Sequence, residues 1–538
     1  MSSTAPRSLR SYSAITLLLF IIIALLPAAY ALFRSVWHDG KLSLDAYGAV
    51  LNEGRQWTLL RNTLGIALGT TLVATLLGMT VGFALEYVRV PTRAALSYCV
   101  AIPFLIPPYV SAIAWIDLLG KNGFLSTFLR ERAGIELAFL KLYALPGVIL
   151  VLALSYYPIV VLTTVVALRR FDRRLEEAAH LVGKKAAVLL SITLPLLAPA
   201  ILSGALFVFL LALVGFSVPS LLQVNVYPVE IYSRFSAFYD VPGATAQASP
   251  LLLSGALVLV GWALYMRRRR AWLTGAQRLR GIWRGSGALR TTGALLCWLL
   301  IVISAGLPLM VIIGRSLPVS SYIEAWRTAR EEIATSILVA AGAATLLLLL
   351  GFSMAYMARI GRVSARFHGL SILPFLVSGP VLGIGLILLW NHPDPRALVY
   401  DSLLVIVLAC AGRFIFFAHQ GIETSLRDMH TSLEEPATVA GVPWWRQATG
   451  ILLPLLKPSL IAVWGLTFLF SLRELDAAVL VCPPGSTTLP VRLFTLMHYG
   501  PSRLVAALSV ITVLMILLGA GLTARLYVKA RKVLDARS

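Results

Sequence analysis

Long apolar segments separated by short polar segments run through the whole chain. An α-helix needs about 20 apolar residues to cross the hydrocarbon core of a bilayer, and the apolar segments are close to that length. The pattern therefore predicts twelve membrane-spanning helices, six in each half of the chain. The predicted spans are residues 13–33, 63–87, 95–119, 145–168, 195–216, 249–266, 291–314, 335–358, 367–390, 402–420, 455–476 and 504–527.

The two halves of the chain repeat each other. Residues 62–89 align without gaps with residues 335–362, and Pro103-Phe104-Leu105 corresponds to Pro374-Phe375-Leu376. An even number of spans in each half gives parallel repeats. The sequence thus predicts an all-α integral membrane protein with two parallel six-helix repeats. Its predicted parts are a first unit at 1–266, a basic cytoplasmic linker at 267–290 and a second unit at 291–538.

The composition supports a membrane location. Of the 538 residues, 58% are hydrophobic and 13% are charged, which excludes an ordinary soluble domain. The formal net charge of +22 does not indicate nucleic-acid binding, because the basic residues flank apolar spans instead of forming one patch. Lys and Arg are in excess on the side that holds both chain ends. The positive-inside rule therefore places both termini and the linker in the cytoplasm.

Helix breakers occur inside the third predicted span of each half. Carbonyl groups that such breaks release must be satisfied by neighbouring groups or face a water-filled cavity. The breakers are Pro103, Pro107 and Pro108 in the first half, and Pro374, Gly379 and Pro380 in the second.

Ionisable side chains inside the predicted spans are the next unusual feature. Each costs roughly 2.5 to 3.5 kcal/mol on insertion scales, so it normally faces a cavity or a partner. Arg413 lies within the tenth span, and Arg473, Glu474 and Asp476 lie at the outer end of the eleventh. These residues either line the translocation path or outer gate, or form an internal ion pair such as Arg413 with Glu474 or Asp476. The ion pair is slightly favoured.

Two further regions have interpretations that depend on the predicted topology. Glu86 and His419 lie near the cytoplasmic ends of their spans and are interpreted as solvated. Residues 218–232 and 482–493 follow the fifth span of each half and contain prolines. They are interpreted as outer loops that connect spans or receive a binding protein.

One polar stretch occurs in both halves, and both copies fall on the predicted cytoplasmic side. We call residues 169–195 the first repeated loop and residues 432–454 the second repeated loop. Each is predicted to form a short helix, a glycine turn and a second helix that ends at a proline. Glu176-Glu177 and Glu434-Glu435 are expected in the first turn, where carboxylates oppose the helix dipole. Gly183 and Gly441 are expected to need a positive φ.

This pattern resembles the coupling loop of permease subunits in binding-protein-dependent ABC importers. In that family the loop fits a groove on the cytoplasmic ATPase and passes its motion to the membrane helices. The second copy has Pro436 where an alanine is usual, which requires Pro436 to lie in the first helical turn. The first copy is one residue shorter between glycine and proline. The residues assigned to coupling by this resemblance are Glu176, Glu177, Ala178, Ala179, Gly183, Glu434, Glu435, Ala437 and Gly441.

Further motifs resemble the fused iron(III)-type permeases. The resemblance implies a type I importer layout in the bacterial inner membrane. It also implies a homodimeric ATPase and a periplasmic substrate-binding protein as partners. It points first to iron(III) as substrate, with thiamine, aminoethylphosphonate or a sugar phosphate as alternatives. The motifs begin at Arg55-x-Trp57, Ile106-Pro107-Pro108-Tyr109, Leu175-Glu176-Glu177-Ala178-Ala179 and Arg473-Glu474-Leu475.

The sequence carries no arrangement typical of catalysis. Gly183-Lys184-Lys185 lacks the upstream glycine and the hydroxyl residue of a phosphate-binding loop. ATP is therefore expected to be used by a partner subunit, and this chain is expected to bind no cofactor and no metal. An ion-coupled secondary transporter is the main alternative. Such a transporter would need intramembrane carboxylates that bind the coupling ion, and few are present. A membrane enzyme is disfavoured because no catalytic arrangement of residues is found in the sequence.

Overall fold

A computed structural model describes residues 7–38, 40–133, 141–170, 185–269, 287–360, 369–430, 432 and 434–535. Helices make up nearly all of this described part, with one two-stranded antiparallel pair, β1 (Trp37–His38) and β2 (Lys41–Leu42). The helices of the first half are α1 (Ser11–Val36), α2 (Asp45–Asn52), α3 (Gly54–Glu86), α4 (Arg93–Cys99), α5 (Ile102–Leu105), α6 (Pro108–Leu119), α7 (Phe124–Ala133), α8 (Leu145–Arg170), α9 (Leu189–Val214), α10 (Ser217–Leu221), α11 (Tyr227–Phe238) and α12 (Val241–Arg268).

The second half repeats this order of long and short helices. Residues 270–286 of the predicted linker lie outside the described residues. The helices are α13 (Gly287–Arg315), α14 (Ser320–Arg359), α15 (Leu373–Leu376), α16 (Gly379–Trp390), α17 (Pro393–Pro395), α18 (Leu404–Arg427), α19 (Glu435–Val439), α20 (Trp444–Leu472), α21 (Ala478–Val481), α22 (Leu489–Tyr499) and α23 (Ser502–Asp535).

Ten helices in the described ranges are long and apolar enough to cross a membrane. They correspond to ten of the twelve predicted spans. The third predicted span is a helix pair, Arg93–Leu105 and Pro108–Arg132, bent by 88°. The ninth contains the 12-residue helix α16. The all-α membrane architecture is therefore confirmed, with the third span of each half built from broken helices.

Both breaks occur at the predicted breaker positions. In the first half the chain becomes extended at Ile106, with ψ 122°, immediately before Pro107. The proline ring disfavours the helical conformation of the residue before it, which explains this position. In the second half Ser378 is extended, with ψ 148°, before α16 begins at Gly379.

Prolines inside four other spans are accommodated without ending the helix. A proline has no N–H to donate and its ring crowds the carbonyl four residues back. In each case one wider π-helical turn precedes the proline and keeps the helix continuous. The prediction that the second helix of the repeated loop ends at a proline was therefore wrong. The π turns are residues 21–25, 189–193, 302–306 and 448–452, before Pro27, Pro195, Pro308 and Pro454.

The long helix α3 has one exposed apolar side and one buried side of small residues. On α3, Leu68, Leu72 and Leu76 are each about 60% exposed and form one stripe. The opposite side carries Thr70 and Ala74, which are fully buried, and packs against α8. Small residues let the helix backbones approach closely, while the exposed leucines suit contact with lipid.

The outer loops of the two halves show the repeat at atomic detail. Thr63 near the start of α3 accepts a hydrogen bond from the backbone N–H of Tyr227, at 3.1 Å. Ser336 on α14 accepts the equivalent bond from Leu489, at 2.7 Å. Thr63 and Ser336 are aligned residues of the sequence repeat. Each bond holds the first residue of a helix, α11 or α22, where the sequence had indicated outer loops that connect spans or receive a binding protein.

The two compact units of the structure do not coincide with the two halves of the sequence repeat. One compact unit comprises Met1–Val50, Ile231–Ala248 and Pro318–Ser538, and the other comprises Leu51–Glu230 and Ser249–Leu317. Each unit thus contains the first span of the opposite half. In the former, α1 packs against α16, and in the latter, α13 packs against α6. The division at 1–266, 267–290 and 291–538 remains a prediction about the sequence repeat.

A buried ion cluster fixes the broken helix α16 in its unit. Arg413 on α18 forms ion pairs with Glu474 and, at 2.8 Å, with Asp476, and all three side chains are about nine-tenths buried. Glu474 also accepts a hydrogen bond from the backbone N–H of Ala477, at 2.9 Å. Gly379, the first residue of α16, lies so close that a Cβ there would be 2.5 Å from the Cβ of Asp476.

We expect the Arg413→Met variant to be strongly destabilised, because it leaves two buried carboxylates without their partner. The loss of one member of a buried ion pair costs about 3–5 kcal/mol. The unfolding midpoint of the purified protein in detergent should therefore fall by several degrees.

The matched control is Arg396→Gln, which breaks an exposed ion pair with Asp401 and should change stability by about 1 kcal/mol or less. Equal midpoints for the two variants would show that the buried cluster does not hold this unit together.

Candidate functional site

The second repeated loop is described by the structure apart from Leu433 near its start. The first repeated loop is not: residues 171–184 lie outside the described residues, and so do the predicted coupling residues Glu176, Glu177, Ala178, Ala179 and Gly183. The geometry of the candidate site is therefore that of the second loop.

The second loop begins with the predicted short helix. This helix, α19, runs from Glu435 to Val439, and Pro436 lies in its first turn. A proline costs no hydrogen bond there, because the first backbone N–H groups of a helix have no partner within it. The substitution of proline for the usual alanine is thus compatible with the helix.

A glycine ends this helix as predicted. Gly441 has φ +73°, in the left-handed region that disfavours side chains. The backbone N–H of Gly441 bonds to the carbonyl of Thr438, at 3.1 Å, and that of Val442 bonds to the carbonyl of Ala437, at 2.9 Å. This pair of bonds is a Schellman motif, which satisfies the last carbonyls of the helix.

An arginine at the end of a neighbouring span holds the loop from one side. Arg359, the last residue of α14, donates from Nε to Glu434, at 2.7 Å. Its Nη atoms donate to the backbone carbonyls of Leu426 and, at 3.3 Å, of Met429. Only 9% of the Arg359 side chain and 14% of the Glu434 side chain are exposed. Glu434 is therefore occupied by its own chain.

Aromatic packing holds the far end of the loop. Trp444, the first residue of α20, lies with its ring centroid 4.7 Å from that of Tyr12 and 6.2 Å from that of Tyr356. Tyr12 in turn donates a hydrogen bond to Ser353, at 2.7 Å. Ser353, Tyr356 and Arg359 follow one another at helical spacing, so one face of the end of α14 receives the whole second loop.

Arg359 and Trp444 were not predicted from the sequence to belong to the site. A signal for Arg359 was present, since it aligns with Glu86 in the ungapped repeat and so reverses the charge at that position. Glu86 itself was interpreted wrongly as solvated. It is 6% exposed and binds Arg93, at 2.8 Å, and Arg169, at 2.6 Å. His419 is also buried, with its Nδ1 3.1 Å from Ser371 Oγ. Neighbouring helix ends cover both side chains.

The remaining surface of the loop is open. Glu435, Pro436, Thr438 and Val439 are exposed, Val439 by 89%, while Ala437 is half-buried. Within the described residues, Glu435 makes no ion pair. The loop thus presents one carboxylate beside an apolar side chain on a short helix whose backbone is fixed.

Three of the four residues proposed for a path or gate are brought together at one end of α20. Arg413, Glu474 and Asp476 form the buried cluster described above, which is the favoured ion-pair interpretation. Arg473 lies apart from them, with its guanidinium 4.8 Å from the ring centroid of Phe470. The charged groups of the cluster therefore pair with one another.

The described ranges contain no cluster of metal-binding side chains, and their cysteines form no disulfide. No group of three or more His, Cys, Asp or Glu residues there could hold a metal ion. All four cysteines are free, and burial raises the pKa of the Cys482 thiol to about 11. Cys482 therefore stays a neutral thiol at physiological pH, consistent with packing.

Comparison with known proteins agrees with this geometry. Residues 74–272 and 347–532 each match the family described as binding-protein-dependent transport system inner membrane component. The two matches cover well over half of the chain, and each contains one repeated loop.

Several curated permeases are similar along the chain. The Fe(3+)-transport system permease protein FbpB 2 of Haemophilus influenzae is 24% identical over 91% of this chain and 93% of its own length. The ferric transport system permease protein FbpB of Actinobacillus pleuropneumoniae is 22% identical over 86% of this chain and 70% of its own length. The molybdenum transport system permease protein ModB of Haemophilus influenzae is 29% identical over 30% of this chain and 70% of its own length.

The duplicated match, the repeated loops and the membrane helices lead to one conclusion: the chain belongs to the family of binding-protein-dependent transport system inner membrane components, as a multi-pass permease that carries the family's domain twice.

Proposed function

We propose that this chain forms the whole membrane pathway of an ATP-driven importer for iron(III). In this proposal two copies of one ATPase subunit bind its two repeated loops, and a periplasmic protein delivers the substrate. The observation that supports it best is the second loop, a fixed helix that exposes Glu435 and Val439. A short helix of this kind can enter a groove on another protein without first becoming ordered, which lowers the entropic cost of binding.

The mechanism follows from how the loop is attached. ATP closes the ATPase dimer and moves the docked loops. Because Arg359 and Trp444 fasten the second loop to α14, displacement of the loop is passed to that span as a rigid unit. The membrane helices then open outward, accept substrate from the binding protein, and reverse after hydrolysis. ATP is bound by the partner, and this chain needs no cofactor of its own.

Iron(III) is the proposed substrate because the relatives that cover most of the chain are named as ferric permeases. Thiamine, aminoethylphosphonate and sugar phosphates remain alternatives within the same importer class. An ion-coupled carrier fits less well, since Glu474 and Asp476 are held by Arg413 and are not open to a transported ion.

We expect Glu435→Gln to lower uptake about tenfold while the protein still folds and inserts. The variant loses one charge-assisted hydrogen bond to the ATPase, worth roughly 1.5 kcal/mol. Co-purification of the ATPase with the tagged permease and substrate uptake are the two measurements. Glu324→Gln, an exposed carboxylate near the opposite end of α14, is the control and should behave as wild type.

The first loop is tested in the same way with Glu177→Gln. Wild-type uptake by both single variants and by the double variant would rule out the coupling role of these loops.

The proposed orientation places both chain ends and the second loop in the cytoplasm. A cysteine at the 89% exposed Val439 should react with a membrane-impermeant maleimide only after the cells are permeabilised. A cysteine at Phe238, which is 76% exposed at the end of α11, should react in intact spheroplasts. The reversed labelling pattern would overturn the orientation.

The substrate is identified by uptake in cells that carry or lack this gene. We expect accumulation of radioactive ferric ion to depend on the chain and on its ATPase, and to fall to background without either. Labelled thiamine, aminoethylphosphonate and a sugar phosphate are measured in parallel. Gene-dependent uptake of one of these in place of iron would retain the importer and replace its substrate.

A further inference from the structure

We infer that Arg359 is a positioning residue that makes the second repeated loop move together with the ends of α14 and α18. We call Arg359 and Glu434, with the carbonyls of Leu426 and Met429, the latch. The consequence of the inference rests on the proposed function, but the latch itself is formed entirely by residues of this chain.

The latch joins three segments through one side chain. Arg359 ends α14, Leu426 is the next-to-last residue of α18, and Glu434 immediately precedes α19. The last carbonyls of a helix have no partner within it, and the guanidinium supplies donors to this region. A guanidinium carries five N–H donors in a fixed fork, so it can bind the carboxylate and the carbonyls at the same time.

Burial makes the latch selective for arginine. Since 9% of the Arg359 side chain is exposed, most of its hydration is lost and its donors depend on protein partners. Replacement by a shorter neutral donor leaves Glu434 and the end of α18 without the charge that holds them. A lysine supplies one point charge and cannot reproduce the planar fork.

The first half has the opposite charge at the same place. Glu86 aligns with Arg359, and its carboxylate is taken up by Arg93 and Arg169. Trp444 also has no aromatic counterpart in the aligned sequence of the first half. It aligns with Lys185 or Ala186, depending on where the one-residue gap is placed.

The consequence is that the latch couples the second loop to its neighbouring spans. Displacement of the second loop is passed directly to α14 and α18. Loss of the latch should therefore separate ATP hydrolysis from transport, since Glu435 still docks on the ATPase. Loss of Glu86 should not have this effect on the second loop.

The test compares Arg359→Gln and Glu434→Gln with Arg427→Gln. Arg427 also lies at the end of α18 and pairs with Glu423, but its side chain is 66% exposed, so it is the matched control. Amide hydrogen exchange of residues 434–442 is measured on the full-length purified permease. Uptake and ATPase activity are measured on the complex with its ATPase and binding protein.

We expect both latch variants to speed exchange at Gly441 and Val442 about tenfold or more, and to lower uptake about tenfold while ATP hydrolysis continues. Arg427→Gln should change neither. Glu434→Gln keeps the hydrogen bonds from Arg359 to the carbonyls of α18 and the residues after it. The exchange and uptake measurements can therefore be made on this variant if Arg359→Gln fails to fold. Unchanged exchange in a folded latch variant, or equal changes in Arg427→Gln, would overturn the inference.

The exchange measurement requires no ATPase, so it separates the two proposals. If the wild-type chain binds no ATPase but the latch variants exchange faster, the proposed function fails and the latch stands. If the ATPase binds and hydrolysis stays tied to uptake in both latch variants, the proposed function stands and the coupling role of the latch fails.

Discussion

The absence of water within the bilayer governs this structure, because every backbone polar group at membrane depth must find its partner inside the protein. The prolines show this for the backbone. Where Pro454 removes a hydrogen bond, the preceding residues 448–452 widen into a π turn and the helix continues. Where Pro107 breaks the third span, two shorter helices replace one. Arg413 shows the same constraint for a side chain, since its charge is balanced by two carboxylates on the following segment.

At corresponding places in the two halves, the ion pairs are formed by side chains of opposite charge. At one end of the second span the first half has Glu86 held by arginines, and the second half has Arg359 holding a glutamate. At the other end, Arg55 on α3 pairs with Glu230 on α11, whereas Glu332 on α14 is paired with Arg492 on α22.

An exchange of partners between halves would therefore place like charges together. Like-charge contacts disfavour a wrong arrangement even where each correct pair adds little stability. This matters in a chain whose two repeats have nearly the same pattern of spans and must still pack each loop against the correct helix.

Sequence alone could predict the features that depend on local pattern. Apolar length located the spans, the aligned breakers located the broken helices, and Gly441 was expected to need the positive φ that it has. Pro436 was compatible only with a first turn, which is where it lies. Each of these follows from the conformational preference of one residue or one helix.

Features that depend on long-range packing were not predictable in the same way. Nothing in the periodicity of α1 indicates that it packs in the unit formed mainly by the opposite half. Arg359 resembles an ordinary basic residue at the end of a span until Glu434 is brought beside it, 75 positions later in the chain. The helix at Tyr227–Phe238 is short and contains a proline, so its sequence does not distinguish it from a loop.

Fusion of the two repeats into one chain explains how such asymmetry can persist. Two identical subunits would carry every charge twice, so a substitution that suits one loop would also alter the other. In one chain the aligned positions vary independently, and Ser155 stands in the first half where Arg413 stands in the second. The buried ion cluster and the latch both lie in the unit that contains the second repeated loop. A charge that suits the second loop can therefore be kept without being imposed on the first repeat.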